Sequence, residues 1–488
     1  MKRVNILIVT LLLLASPFTA RAEYQPIDTI LTPLTADGVL DTLAETVQRA
    51  LVTNPDVLAS YQEFLAATRE QDAARGKYLP SIDLTARAGH AVYRDNGIDN
   101  SFKPWEGKIE LTQMLYDGFE TRNEVARLEA EKLVSFYQLL AEMEGVSLEV
   151  VNAYLDVLRY RSLLAYADEN LRHHESIYQQ VEDRVSSGIS RGVDLDQAKG
   201  RLALARANRR TESSNLHDVS SRFLRLVGEL PGYALEPPSQ LLSTVIPSDT
   251  ETALQVAFVD NPAVSAAFER ATAAHSAMLV RKALYQPRLD FKAHHSFGED
   301  RDRISGDSSE TVVELVATFN LYRGASDKAR ISQFLHLYNR AVDLRDKICR
   351  NVRQELTIAL RDIDFLDQQL AYLKQHQESS AKTREIYRDQ FEIGQRTLLD
   401  LLDTENEYFD ARRAYTMASY DYVLAYARSA ANMGQLMNIL GLLSEEDAAV
   451  TLLGGLPERN VSDQFCPAQG IPDAIFLNGE VQPQPWLK

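Results

Sequence analysis

The chain has 488 residues, 45% hydrophobic and 25% charged, with 69 acidic against 52 basic side chains and a formal net charge of −17. There is ample material for a core, and the acidity argues against a nucleic-acid-binding surface, because phosphate contacts need clustered Lys and Arg. Only two cysteines occur, Cys349 in a helical pattern and Cys466 in a Pro/Gly-rich tail; two unpaired thiols are expected rather than a bridge.

Lys2 and Arg3 precede an apolar stretch over 6–15, and Ala20-Arg21-Ala22 places small residues at −3 and −1. This predicts a secretory signal peptide over 1–22, cleaved before Glu23. The stretch is too short to span a membrane, and no later segment offers 18 uncharged apolar residues. Position 23 is not a cysteine, so no lipid is expected there.

A first repeat is expected over 23–245. A helix follows Asn54-Pro55, where the proline suits a first helical turn, and runs to about Gly76. Alternation takes over next: Ile82, Leu84, Ala86 and Ala88 are apolar, while Asp83, Thr85 and Arg87 are polar. After a polar loop, Ile109 and Leu111 alternate with Lys108, Glu110 and Thr112, which predicts a β-hairpin over 81–118. A helical tract of about 119–186 then carries Leu133, Phe136, Leu140 and Met143 at 3–4 spacing, resumed by Val150, Tyr154 and Leu158. At 1.5 Å per residue such a helix reaches about 100 Å and belongs in an elongated bundle. It turns near Gly188 and returns over about 194–228.

The same order recurs over 246–443. "ALVTNPDVLAS" at 50–60 returns as "AFVDNPAVSAA" at 257–267, and "KYLPSIDLTA" at 77–86 as "LYQPRLDFKA" at 284–293. Pro80 to Pro287 is an offset of 207; Gly118 to Gly324 and Gly188 to Gly394 are offsets of 206. One net indel over so long a span indicates a tandem duplication. A second hairpin is therefore predicted over 288–324, using Leu289, Phe291 and Ala293, then Val313, Leu315, Ala317, Phe319 and Leu321. A second long helix follows over about 325–392, with its turn near Gly394 and a return over about 397–443. Residues 444–488 lack periodicity and are expected to be an irregular tail.

Four amphipathic strands per chain cannot close a barrel alone, and an open sheet leaves edges that lipid cannot satisfy. Three copies would supply twelve, with Trp105, Tyr116 and Tyr322 placed for an aromatic girdle. The alternative is a small soluble sheet capping a helical rod.

The duplicated order, the two Asn-Pro starts, "YLPSIDL" with "YQPRLDF", "LYDG" with "LYRG", and the turn "FEIGQRTLLDLLD" together resemble the TolC family of outer-membrane channels. The resemblance covers about 40–443. It implies an α+β membrane protein: a homotrimer with a twelve-stranded β-barrel in outer-membrane lipid, continued by a long α-helical coiled-coil tunnel across the periplasm. It implies as partners a periplasmic membrane-fusion adaptor and an inner-membrane pump. It also places both glycine turns, Gly188 and Gly394, at the periplasmic tip, where helices converge into a closed iris and the adaptor is expected to make contact. Carried over by position, the constriction residues are Arg396, Asp400, Asp403 and Asp194; Phe391 stands where the family has tyrosine, so that hydroxyl's hydrogen bond is absent.

Spacing supports part of this. Asp400 and Asp403, three apart on a helix, share a face, and threefold symmetry would gather six carboxylates, a feature that attracts cations and invites divalent block. Arg396 could hold the tip shut through Asp194 or a neighbouring chain. The same residues also read as a capped helix start, where aspartates complement the helix dipole.

Other chemistry is weak. His173-His174 and His294-His295 lack metal-ligand spacing and are expected to be solvated, and Ala203, Ala205 and Ala207 to permit close helix packing. No nucleophile arrangement or phosphate loop occurs, so neither enzymatic activity nor a cofactor is expected. The tip wording resembles the branch serving type I secretion, including exporters of large repeat adhesins. Protein export with an ABC transporter and adaptor is favoured, ahead of a drug or metal efflux pump and of a pore-less coiled-coil scaffold.

Overall fold

The structure, a computed structural model, describes residues 27, 31, 42–95, 98–238, 241, 246–247, 249–300, 306–455 and 466. The leader over 1–22 and, apart from Cys466, the tail beyond 455 lie outside the described residues.

The Asn-Pro pair turns out to be a corner between two helices, not only a start. α1 (Leu43–Thr53) is opened by a capping box in which Thr42 and Glu45 satisfy each other's amides. α2 (Pro55–Arg75) follows directly, with Asn54 Oδ1 accepting from the Asp56 amide at 2.8 Å. Four strands come next: β1 (Ser81–Ala88), β2 (Ala91–Asp95), β3 (Ile98–Phe102) and β4 (Trp105–Tyr116). β4 passes into α3 (Glu120–Ser186) through Gly118 and Phe119, both with positive φ, and Asp117 Oδ2 caps the helix by accepting from the Thr121 amide at 2.8 Å. α4 (Gly192–Val227) completes the first repeat.

The second repeat begins with α5 (Thr250–Asp260) and α6 (Pro262–Lys282), hinged at Asn261, whose Oδ1 accepts from the Ala263 amide at 2.9 Å. β5 (Arg288–Glu299), β6 (Asp307–Thr318), α7 (Ser326–Glu392) and α8 (Leu398–Asn432) follow. α3 and α7 each have 67 residues, about 100 Å of helix. The chain then adds a short turn of helix, α9 (Leu436–Ile439), and α10 (Glu445–Leu453), capped by Ser444. The tail expected to be irregular thus begins with a helix; Ala448 and Ala449 bury one side of it, a period too short to read in sequence.

The strand count also differs from the four expected. β1, β4, β5 and β6 form one antiparallel sheet in that order, and β2 with β3 forms a separate hairpin inside the β1–β4 connection. Its strands are short and carry charge, so they read as a polar loop. In the main sheet the register aligns Ile82, Leu111, Ala293 and Val313 on one face, and Asp83, Glu110 and His294 on the other. Ile82, Leu84, Val313 and Leu315 are 65–69% exposed. The opposite face holds the Arg87–Glu106 and Lys108–Glu110 ion pairs. This is the alternation of a membrane barrel wall, apolar outward and polar inward. Trp105 marks the end of the sheet distal to the helices, with Nε1 donating to Glu299 at 3.3 Å, and Tyr116 and Tyr322 lie at the helical end. β1 and β6 leave the sheet's two edges open within the protomer.

α3 is the spine. It packs on α2 and α6 toward the sheet and on α4 and α8 toward the far end, and α7 lies against α6 and then α8. The expected seam is where the main core forms: Phe136, Met143, Val150 and Tyr154 are fully buried, joined by residues of α1, α2, α8 and α9. A second core surrounds α5 and α7, and contains a Cys349–Cys466 disulfide. The expectation of free thiols therefore fails: the bridge spans 117 residues and ties the tail to α7, a proximity no local pattern encodes.

The free face of α7 carries Leu337, Leu344, Ile358, Phe365, Tyr372 and Ile386, spaced by seven or fourteen and 41–74% exposed. On α4, Ala205 is buried, while Ala203 and Ala207 are exposed.

Candidate gate at the helical tip

Both long hairpins turn in the same way. Gly188 and Gly394 have φ of 75° and 76°, and nothing lies within 4 Å of a Cβ built on either. The constraint is thus backbone conformation, not space. The amide after each glycine reaches back five residues, Ile189 to the Arg184 carbonyl and Gln395 to that of Gln390, both at 2.8 Å, closing each helix end.

The residues singled out in the sequence divide into two groups. Asp400 belongs to a capping box: its Oδ2 accepts from the Thr397 amide at 3.3 Å and hydroxyl at 2.8 Å, and its own amide donates to Thr397 Oγ1. Asp194 does the corresponding task on α4, accepting from the Arg191 amide at 3.2 Å. Arg396 stays within its own hairpin. It donates to Gln390 at 2.9 Å, lies 4.1 Å above the Tyr387 ring, and approaches Asp400 at 3.9 Å. Arg396 and Asp194 make no bond to each other.

Asp403 and Phe391 instead bridge the two hairpins. Arg201 on α4 forms a charge-assisted hydrogen bond to Asp403 on α8. Phe391 is buried with Ile177, Val181, Ala198, Leu398, Leu401 and Leu402, drawn from α3, α4, α7 and α8. The Arg184 guanidinium of α3 covers its ring at 4.8 Å. A tyrosine hydroxyl would have had to leave this apolar cluster; phenylalanine fits it.

Two residues deeper along α8, Glu405 is buried and takes Arg384 Nε at 2.8 Å and Arg388 Nη2 at 3.1 Å. Arg413 of α8 likewise reaches buried Glu212 of α4 at 2.6 Å. Sequence reasoning missed Arg201, Arg184 and this ladder, because Arg201–Asp403, Arg184–Phe391 and Arg413–Glu212 join helices about 200 residues apart, Arg384 and Arg388 reach Glu405 across the α7–α8 turn, and no spacing announces any of them.

The histidines split. His295 is exposed and bonded to Thr311 at 2.8 Å, but its register with Ile109 puts it on the outward apolar face of the sheet. His173 shares a contact with Arg384 at 2.9 Å, and His174 is 1% exposed, contrary to expectation. One step along α3 separates a half-buried position from the interior. Burial holds the imidazoles of both His173 and His174 below their ordinary pKa.

Residues 46–229 and 253–435 match the family model for outer membrane efflux proteins. The outer membrane efflux protein BepC of Brucella suis is 24% identical over 432 residues, covering 86% of this chain and 90% of that one. The alkaline protease secretion protein AprF of Pseudomonas aeruginosa is 23% identical, covering 86% and 89%. Among solved structures, the CmeC outer membrane channel of Campylobacter jejuni superposes with a TM-score of 0.74 at 15% identity, covering 84% of this chain and 88% of that one.

Proposed function

The chain belongs to the outer membrane efflux protein family, and we propose that it is the exit duct of a tripartite type I secretion system. It accepts unfolded protein, a large repeat adhesin being the favoured cargo, from an inner-membrane ABC transporter through a periplasmic adaptor. The working unit is a homotrimer. Twelve strands close the barrel in the outer membrane, and the long helices extend into the periplasm.

The observation that carries the channel reading is a sheet with an apolar outer face and two open edges, continuous with helices that are unfinished on one side. Edges of that kind are stable in lipid only when other strands close them. The heptad stripe on α7 is the matching demand in the helical part: apolar residues every seven positions want a partner helix, and the exposed Ala203 and Ala207 of α4 offer a small-residue surface for a second copy to meet. A pore-less scaffold gives no reason for Ile82, Leu84, Val313 and Leu315 to face outward.

Type I secretion rests on the wording of the tip turn and on the likeness to a protein named for protease secretion. The likeness to BepC, named as an efflux protein, favours efflux as the second reading. Deleting the gene and assaying both surface adhesin and drug tolerance separates them. Loss of the adhesin with unchanged tolerance is expected; sensitivity to drugs or metals with normal export overturns the secretion reading. Planar-bilayer currents from the purified protein test the pore itself.

The trimer has its own test. Phe365 is 62% exposed in the protomer, and a substitution at a solvated site shifts stability by about 0.5 kcal/mol or less. Phe365→Asp is instead expected to abolish the heat-sensitive trimer band on gels. A normal trimer band would show that the stripe faces water.

A further inference from the structure

Between the two hairpins, above the tip, lies a layer of polar side chains that the gate does not use. Asn170 and His174 are one turn apart on the same face of α3, and they are 5% and 1% exposed. Both polar atoms of Asn170, both ring nitrogens of His174 and Nδ2 of Asn406 on α8 are buried with no hydrogen-bond partner. Asn406 stands close enough to influence the imidazole's proton, but the two are not in hydrogen-bond geometry. An unsatisfied buried polar group loses its hydrogen bonds to water without replacement, and apolar residues would pack here without that cost. The layer is a built-in weak point in an otherwise tight helical seam.

The charges around it are of both signs and already paired with one another. From α7, Arg384 and Arg388 converge on Glu405 of α8, and Arg384 also touches His173. From α4, Arg201 faces the layer and is engaged by Asp403. On α3 itself, His173 neighbours His174 and approaches Glu169 at 3.6 Å. Both nearby carboxylates of α8 are therefore committed to guanidinium groups, and a charged His174 would meet no free carboxylate, only the uncharged amides of Asn170 and Asn406.

We propose that the Asn170–His174–Asn406 layer is a proton-operated release, in which charging His174 separates the α7–α8 hairpin from the α3–α4 hairpin and lets the tip open. The closed packing holds a dry, neutral imidazole; a parted seam admits water and accommodates the cation. Because burial depresses proton affinity in the packed state, the parted state binds the proton more tightly. Acidification below the ordinary histidine range thus favours opening, and neutral or alkaline pH favours closure. Each unit of difference in proton affinity between the two states is a tenfold bias per protomer.

The channel reading enters only through the electrical measurement. Currents at pH 7.5 and 5.5 are recorded for wild type, His174→Gln and His174→Arg in planar bilayers. Wild type is expected to gain at least tenfold in open probability on acidification, His174→Gln to lose that response, and His174→Arg to be open at both pH values. A wild-type profile that is flat, or that survives in His174→Gln, overturns the proposal while leaving the pore intact; absence of any current counts against the pore instead. Hydrogen exchange on the wild-type protein needs no variant and no current. After correction for intrinsic rates, amides of 166–178 and 402–410 are expected to lose protection at pH 5.5, and unchanged protection overturns the release.

Discussion

Arg201→Ala is expected to raise the open-to-closed ratio of the channel roughly ten- to hundredfold at neutral pH. Both members of the pair are partly exposed, at 32% for Arg201 and 54% for Asp403, so a single bond is worth only about 0.5–1 kcal/mol. Three copies around one axis that part together multiply that small term, and each 1.4 kcal/mol is a factor of ten. Single-channel conductance of Arg201→Ala, Asp403→Ala and the double variant forms a cycle that isolates the pair. The double variant should conduct no more than either single one. Additive gains would mean that the two residues act separately. Arg396→Ala is the internal control: Arg396 bonds to Gln390 and stacks on Tyr387, both in its own hairpin, and moves with that hairpin when it swings. Its removal should alter conductance far less than that of Arg201. A larger effect for Arg396 would return the latch to the residues read from the sequence, through contacts with a neighbouring copy.

This division of labour alters the view of the acidic turn. Asp400 serves first as the partner of the N-cap Thr397 in the capping box of α8, and its replacement by alanine should cost about 1 kcal/mol of local helix stability. Asp403, three residues on, is the member that reaches the other hairpin. The two can still share a face toward a threefold axis, but each already has a cation beside it, Arg396 for one and Arg201 for the other. A divalent blocker would have to compete with those arginines.

What was legible in the sequence follows from the range of the forces involved. The limits of α3 and α7 agree with the predicted tracts to within a residue, because helix periodicity and the glycine turns are local signals. The main-sheet strands were readable from alternation, and the pairing of repeats from the duplication. The β2–β3 hairpin was not, since its strands are five residues each and carry charge in the sequence, which leaves no run of alternation to mark them. The Cys349–Cys466 bridge, the Arg201–Asp403 pair and the burial of His174 were invisible for a different reason. Each depends on which helices stand side by side and how they are rotated, and a shift of one position along α3 reverses the environment of a histidine.

Glu144 gives the clearest pH dependence outside the tip. It lies on α3, buried, beside a cavity of about 430 Å³ that Asp260, Glu445 and Glu446 also line. One carboxyl oxygen accepts from the Met437 amide at 3.3 Å, and the other has no partner. Burial pushes its pKa up from 4.5 to about 8, against the pull of the Met437 and Leu436 amides. A carboxylic acid with a raised folded-state pKa binds protons that the unfolded chain has released. Its contribution to stability is therefore fully present below pH 4.5 and is lost as pH rises through 8. The loss is on the order of 5 kcal/mol, from 1.36 kcal/mol per pKa unit over a shift from 4.5 to about 8. Glu144→Gln keeps a carbonyl oxygen for the Met437 amide but cannot ionise. It is expected to match wild type in thermal unfolding near pH 5 and to exceed it clearly at pH 8.5. Identical pH profiles for the two proteins would mean that water reaches the carboxylate and that the junction of α3 with α9 is looser than its packing indicates. A Gln variant weaker than wild type at both pH values would instead show that the charged form is held by its amide contacts, which would make this buried acid an anchor for α9 and not a liability.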